Sequence, residues 1–187
     1  MVFGGEETPR RYIGAYITED QRFLVITAAN STTGNELYFQ DLSKPGAPIV
    51  PIVTGFANEQ SIQYTAGNKL YILTNKDAPN RKLVITDAAN PTLEHWKDLI
   101  VETSFPLSIS TGGNKLFAQY VKDAVSQVYQ YDLTGKKDKE ISFPGLGTAT
   151  GFSGKKEEGT IYYRFSSYVY PPTIFKYDIA SGKSTVF

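Results

Sequence analysis

Ser153 stands in Gly-Phe-Ser-Gly-Lys (151–155), one residue short of the Gly-x-Ser-x-Gly turn that presents a nucleophilic hydroxyl. Lys155 replaces the last glycine. That turn also needs a strand before it and a helix after it, and Lys-Lys-Glu-Glu-Gly reads as a turn between strands. Ser153 is therefore not expected to act as a nucleophile. His95 is the only histidine and sits in a polar stretch beside Trp96. A Ser-His-Asp system needs its histidine placed beside both a serine and an acid, and nothing local to His95 does that. With one His and no Cys, zinc would have to be held by carboxylates alone, which is not its usual ligand set. Gly-Leu-Gly-Thr-Ala-Thr-Gly (145–151) resembles a phosphate loop in glycine content only, with neither the spacing nor the Lys-Ser/Thr that follows one. Asn30-Ser31-Thr32 fits a glycosylation sequon, which matters only in a secretory eukaryotic setting. The expected catalytic, cofactor-binding and metal residues are none.

The elements that would position such groups are repeated along the chain. Four apolar runs begin at Phe23, Leu70, Leu116 and Ile161, and each is followed by a second run ending near an aspartate: Asp41, Asp87, Asp132 and Asp178. These aspartates step by 46, 45 and 46 residues. Each copy adds an earlier short run and a later one, so the unit is four strands in about 45 residues, the period of a β-propeller blade. In Phe-Leu-Val-Ile-Thr and Leu-Tyr-Ile-Leu-Thr both faces are apolar, the pattern of a strand whose sheet is covered on both sides. Later runs such as Lys-Lys-Asp-Lys-Glu-Ile-Ser carry more charge and suit an outer, wetter edge. The repeated aspartate precedes the turn between third and fourth strands, where its carboxylate is expected to accept backbone N–H groups. The aromatic stretch Tyr-Arg-Phe-Ser-Ser-Tyr-Val-Tyr (163–170) is expected to pack between blades and not to stack on a ligand.

The fold class predicted is all-β, a β-propeller portion of about four consecutive four-stranded antiparallel blades. Residues 1–187 form one propeller fragment with blades at approximately 9–55, 56–104, 105–147 and 148–187. Val-Phe-Gly-Gly (2–5) suggests the outer strand of a fifth. Helix is nearly absent, with only a turn expected after Pro91. Closed propellers have about four to eight blades. Four visible blades predict either an uncommon small ring or an arc with two bare faces prone to self-association.

Bulk composition narrows the function classes. The chain has 187 residues, enough for one sizeable core, with 41% apolar and 20% charged content. Lys+Arg and Asp+Glu are 19 each, so no net field recruits nucleic acid or anionic lipid. Lys-Asp-Ala-Pro-Asn-Arg-Lys and Lys-Lys-Asp-Lys-Glu mix both signs and read as solvated turns. No apolar run approaches the roughly 20 residues of a membrane helix. The opening residues lack the pattern of a signal peptide, which fits a soluble cytoplasmic or periplasmic protein without deciding between them.

Leu-Thr-Asn-Lys-Asp-Ala-Pro-Asn-Arg-Lys-Leu-Val-Ile-Thr-Asp (73–87), followed by Asn-Pro-Thr-Leu-Glu-His-Trp (90–96), resembles a segment of the propeller in prolyl oligopeptidases (prolyl endopeptidases). The positions that match are Thr74, Asn75, Ala78, Pro79, Asn80, Leu83, Asn90, Pro91 and Trp96. Residues 151–179 resemble the final blades of the same domain, and 10–26 an earlier one. Oligopeptidase B and the dipeptidyl peptidases are poorer fits. The resemblance implies a seven-bladed propeller capping an α/β-hydrolase domain that carries a Ser-Asp-His triad. It also implies that this propeller admits short peptides, which are cleaved after proline, and excludes folded proteins. The chain lacks the first blades and the hydrolase domain, so no triad position exists in it. Phe187 falls about where the propeller would return to that domain. The expectation is a non-catalytic gating portion, inactive alone and without a cofactor, whose partners are the hydrolase domain of its parent chain and, through it, proline-containing peptides. The alternative is a stand-alone propeller acting as a binding or scaffold module.

Overall fold

In the computed structural model of the chain, residues 3–6, 8 and 10–187 are described. Aromatic and β-branched residues dominate the runs between turns, and such side chains fit a pleated, packed surface. Among the described residues this gives sixteen strands, together with one 3-10 turn at Leu93–His95. They gather into two compact units, Met1–Val101 and Glu102–Phe187.

The first unit holds two sheets. One contains β1 (Tyr12–Ile17), β2 (Phe23–Ala29), β3 (Glu36–Asp41) and β4 (Val50–Val53); the other contains β5 (Gln60–Ala66), β6 (Lys69–Thr74), β7 (Lys82–Asp87) and β8 (Lys97–Ile100). Both are antiparallel with strands in sequence order, as successive short turns require. Phe23, Val25, Leu37, Phe39, Ile52 and Val53 of the first sheet meet Ile62, Leu70, Ile72 and Val84 of the second in one core. The middle strands are buried on both faces: Val25 and Ile26 in β2, Tyr71 and Ile72 in β6.

The second unit repeats the plan. Its sheets are β9 (Ser108–Gly112), β10 (Lys115–Lys122), β11 (Val125–Tyr131) and β12 (Lys137–Glu140), then β13 (Thr148–Ser153), β14 (Thr160–Ser166), β15 (Thr173–Asp178) and β16 (Lys183–Val186), again in sequence order. The core here is largely aromatic. Phe152 stacks on Tyr163 at 4.8 Å, Tyr163 on Phe175 at 5.2 Å, and Phe143 on Phe165 at 5.7 Å.

Four four-stranded antiparallel sheets are the architecture that the repeat predicted. Two details differ. The last strands β8, β12 and β16 are mostly exposed, but Ile52 and Val53 of β4 are buried in the core, because Val-Pro-Ile-Val carries no charge to keep it wet. Of the suggested fifth outer strand, Phe3, Gly4 and Gly5 form no strand, and Val2 lies outside the described residues, as does Pro9 at the start of the first expected blade.

Candidate functional site

The repeated aspartates are turn anchors. Asp41 Oδ1 accepts the Ser43 N–H at 3.1 Å and the Ser43 hydroxyl at 2.5 Å. Asp87 Oδ1 accepts the Ala89 N–H at 3.0 Å. Asp132 Oδ1 takes the N–H groups of Thr134 and Lys136 at 2.8 and 3.0 Å, and Asp178 Oδ1 takes that of Ser181 at 2.7 Å. The ionised carboxylate is what these donors favour, so all four acids are held below the usual aspartate range. For Asp41 the Ser43 hydroxyl is the largest cause, and the Arg22 guanidinium at 3.3 Å adds to it.

The Thr-Asn-x-x-Ala-Pro-Asn segment likewise does structural work. It forms the β6–β7 loop and clamps the connection between the two sheets of its unit. Asn75 Oδ1 accepts the Glu59 N–H at 2.8 Å, Thr74 Oγ1 donates to the Glu59 carbonyl at 3.0 Å, and the Arg81 guanidinium pairs with the Glu59 carboxylate at 3.1 Å. Ala78 is buried beneath the loop. Further along, Trp96 Nε1 donates to the Pro91 carbonyl at 2.8 Å, which fixes the turn before β8.

The two sheets of each unit are also joined by buried polar clasps. In the first unit, Asn35 Nδ2 donates to the Gln60 carbonyl and its Oδ1 accepts the Gln60 N–H, both at 3.0 Å. The Gln60 side-chain amide returns a bond to the Asn35 carbonyl. Beside this clasp Gly34 has φ +72, and a Cβ there would lie 1.8 Å from the Phe56 carbonyl oxygen, so only glycine fits. In the second unit, the Tyr177 hydroxyl donates to Gln130 Oε1 at 2.8 Å, and the Ser126 hydroxyl accepts the Ala149 N–H at 2.9 Å. Burial pushes the Tyr177 phenol up to about 12.

The groups first considered for chemistry lie at a strand end and in turns, and His95 has Glu94 Oε1 3.8 Å from its Nδ1. Ser153 ends β13, opposite Tyr162 of β14, and is exposed. The positive-φ residues of this stretch are Gly151, at φ 113, and Phe152, at φ 68, and a turn to β14 follows in place of a helix. His95 is exposed, with Nδ1 3.2 Å from Thr92 Oγ1. Asn30 lies exposed at the start of the β2–β3 loop. Gly145 and Gly147 belong to the connection into β13, where a Cβ on Gly147 would sit 2.4 Å from the Ser166 carbonyl oxygen. Among the described residues no group of three or more His, Cys, Asp or Glu is placed to hold a metal ion, and no helix is long and apolar enough to cross a membrane.

What sequence reasoning missed lies at the second-to-third-strand loops. Within 163–170, Tyr163 and Phe165 are buried in the aromatic core and Tyr170 packs against it, as expected of packing residues. Tyr168 and Val169 instead stand fully in solvent, and Leu146 of the β12–β13 connection is 80% exposed. Leu146 and Tyr168 line one open cavity of about 550 Å³. The available signal was the flanking Ser166-Ser167 and Pro171-Pro172, which make 167–172 a loop whose tip no strand covers.

Comparisons with known proteins bear on this set of sheets, clamps and rims. The family model of the prolyl oligopeptidase N-terminal beta-propeller domain matches residues 1–187. A prolyl endopeptidase of Elizabethkingia meningoseptica is 53% identical over all of this chain, and one of Elizabethkingia miricola is 51% identical over the same length. The chain spans 26% of each of these relatives. A solved chain from a study of two prolyl endopeptidases superposes with a TM-score of 0.88 at 26% identity, over 96% of this chain and 26% of that one. Prolyl oligopeptidase B from Galerina marginata, at 22% identity and a TM-score of 0.86, shows the same fold. This chain belongs to the prolyl oligopeptidase N-terminal β-propeller family, and the strands of its described residues cover part of that fold.

Proposed function

We propose that the chain is a non-catalytic portion of a proline-specific serine endopeptidase, where it gates the access of short peptides to an α/β-hydrolase domain of the parent chain. One observation carries this reading: identity of 53% to a prolyl endopeptidase extends over the whole chain, which spans only 26% of that relative. The physical role is exclusion by size before chemistry begins. Rigid sheets whose loops are clamped by side-chain-to-backbone bonds, as at Glu59 and Asn75, suit a wall around a reacting centre better than a mobile arm does. Ser153 pairs across the sheet with Tyr162, and His95 lies exposed in a turn beside Thr92 and Glu94; on the reading proposed here, catalysis belongs to the parent's hydrolase domain. The parent's proline-containing peptides are reached through that domain.

The test compares two samples on a chromogenic Gly-Pro reporter and on a folded protein containing the same dipeptide. The full-length parent is expected to cleave the reporter and spare the folded protein. The 187-residue chain is expected to cleave neither. Reporter cleavage by this chain that disappears in Ser153→Ala would overturn the assignment. A parent that digests folded protein as readily as the reporter would remove the gating role and leave a binding or scaffold module as the better reading.

A further inference from the structure

We propose that the first unit binds a small monocarboxylate bearing a short apolar group, in the groove between its two sheets where Arg22, Lys44 and Asn68 meet. The groove is a cavity of about 490 Å³, within the size range of small-molecule sites. Its apolar wall comes from Phe39, Pro48 and Val50 on the side of the first sheet, and from Ala88 and Ala89 after β7 of the second. Its polar end is cationic. Asp41 is the one carboxylate among the described lining residues, and its Oδ2 is shared by two cations, the Arg22 guanidinium at 3.3 Å and Lys44 Nζ at 3.4 Å. Of the neighbouring acids, Asp87 is paired with Lys69 at 3.1 Å, and Asp20 accepts the Thr18 hydroxyl and the Arg22 N–H; neither lines the cavity. Two cations against one carboxylate leave a positive surplus.

The Arg22 head is also under-used. Nη2 makes both of its bonds, to Asp41 and to Asn68 Oδ1 at 2.6 Å, and Nη1 takes part in neither. Nε is buried and, among the described residues, has no acceptor. An unmet buried donor leaves the head short of negative charge. Those two bonds, with the Phe23 ring centred 4.7 Å below the guanidinium carbon, hold the head in one orientation. A planar carboxylate meeting such a head gains charge-assisted bonds at little cost in ordering, and the flexible Lys44 stem can close over it. A monoanion matches the charge left over, and the apolar wall calls for a hydrocarbon arm. The corresponding groove of the second unit is spent. There Lys115 Nζ is held by Asp138 at 2.6 Å and Lys139 Nζ by the Ala180 carbonyl at 2.8 Å, and Asp138, Glu158 and Asp178 outnumber the two lysines. The same succession of strands and turns builds both grooves, so the surplus belongs to the residues of the first and not to the fold.

Titration of the full chain tests this, with N-acetyl-leucine, N-acetyl-leucinamide and inorganic phosphate as probes, read by calorimetry and by the NMR shifts of the Ala88 and Ala89 amides. N-acetyl-leucine is expected to saturate one site and shift both amides. The leucinamide, which lacks the carboxylate, should bind about tenfold or more weakly, and phosphate should also bind less tightly than N-acetyl-leucine. Arg22→Met should weaken N-acetyl-leucine by about tenfold or more, and Lys44→Met by about two- to fivefold. Lys139→Met, in the second groove, should leave it unchanged. The Lys44 side chain is 72% exposed, so its variant decides the matter even where Arg22→Met fails to fold. Absence of saturation up to about 10 mM overturns the site, as does unaltered binding in Lys44→Met. Equal binding of the leucinamide overturns the carboxylate, and phosphate binding as tightly overturns the apolar arm. A loss in Lys139→Met equal to that in Lys44→Met, or shifts that miss Ala88 and Ala89, overturns the location.

Discussion

The two units share strand order and turn anchors, yet they are filled and edged with different materials. The first has a mainly aliphatic core in which Leu37, Leu70, Ile72 and Val84 interlock. The second has a run of stacked rings, Phe152, Tyr163 and Phe175, with Phe117, Phe143 and Phe165 around them. Their rims differ as well. Loop 75–81 of the first unit is polar and tied to Glu59, while loop 167–172 of the second holds itself together and points Tyr168 and Val169 outward. The backbone plan needs only apolar volume between sheets and turn formers at their ends. Which apolar groups fill it, and what the loops display, is left free for other purposes.

Truncation of the aromatic stack should break the comparison most strongly. Phe152→Ala is expected to cost about 3–5 kcal/mol in denaturant unfolding, and Leu70→Ala in the aliphatic core about 2–5 kcal/mol. Phe152→Leu refines this, because it keeps much of the buried volume while losing ring pairs worth about 0.5–1.5 kcal/mol each. If Phe152→Leu matches wild type, the rings are mere filling and the two cores are equivalent. The polar clasps come next. Asn35→Ala and Tyr177→Phe each leave buried partners unpaired and should cost about 1–3 kcal/mol. A neutral result at either would assign inter-sheet cohesion to the apolar core alone.

Titration separates the units again. In the second, burial raises Tyr177 and Tyr120 to about 12, and Tyr129, Tyr131 and Tyr163 also rise. In the first, burial raises Tyr16, also to about 12, and Tyr38, so the contrast lies in the number of raised tyrosines and in the fuller burial of Tyr120 and Tyr177. A raised pKa means that the folded state holds its proton more tightly. Stability from these groups is complete below the unfolded value near 10 and falls as pH climbs from there toward 12. Alkaline unfolding followed by exchange or by residue-specific probes should therefore loosen the second unit first. The lowered aspartates act in the opposite sense, contributing above about pH 3.8 and losing that contribution as pH falls further. They occur in both units, so acid should not discriminate. The smallest effect belongs to the rim: Tyr168→Ser should change the stability of this chain by no more than about 0.5 kcal/mol. A larger loss would make Tyr168 a packing residue and end its role as a displayed one.

Much of this was legible in the residues themselves. The repeat of aspartates at 41, 87, 132 and 178 located four modules and named the turns they anchor, because an Asx-type turn is a local device that three or four residues settle. Short runs apolar on both faces marked the strands, and Thr74 to Asn80 with Trp96 pointed to the family. The stretch 163–170 resisted. Its tyrosines are alike in sequence, but Tyr163 is buried, Tyr170 partly covered and Tyr168 in solvent, since the outcome depends on which side of a strand or turn each one leaves. The sequence by itself determined an all-β chain of four repeated sheets with anchored turns, because periodicity and turn chemistry act over a few residues. Only the tertiary structure decided that Asn35 clasps Gln60, that Tyr177 meets Gln130, and that Leu146 and Tyr168 share one exposed surface. Those pairings join residues 22 to 47 positions apart, and no local preference encodes them.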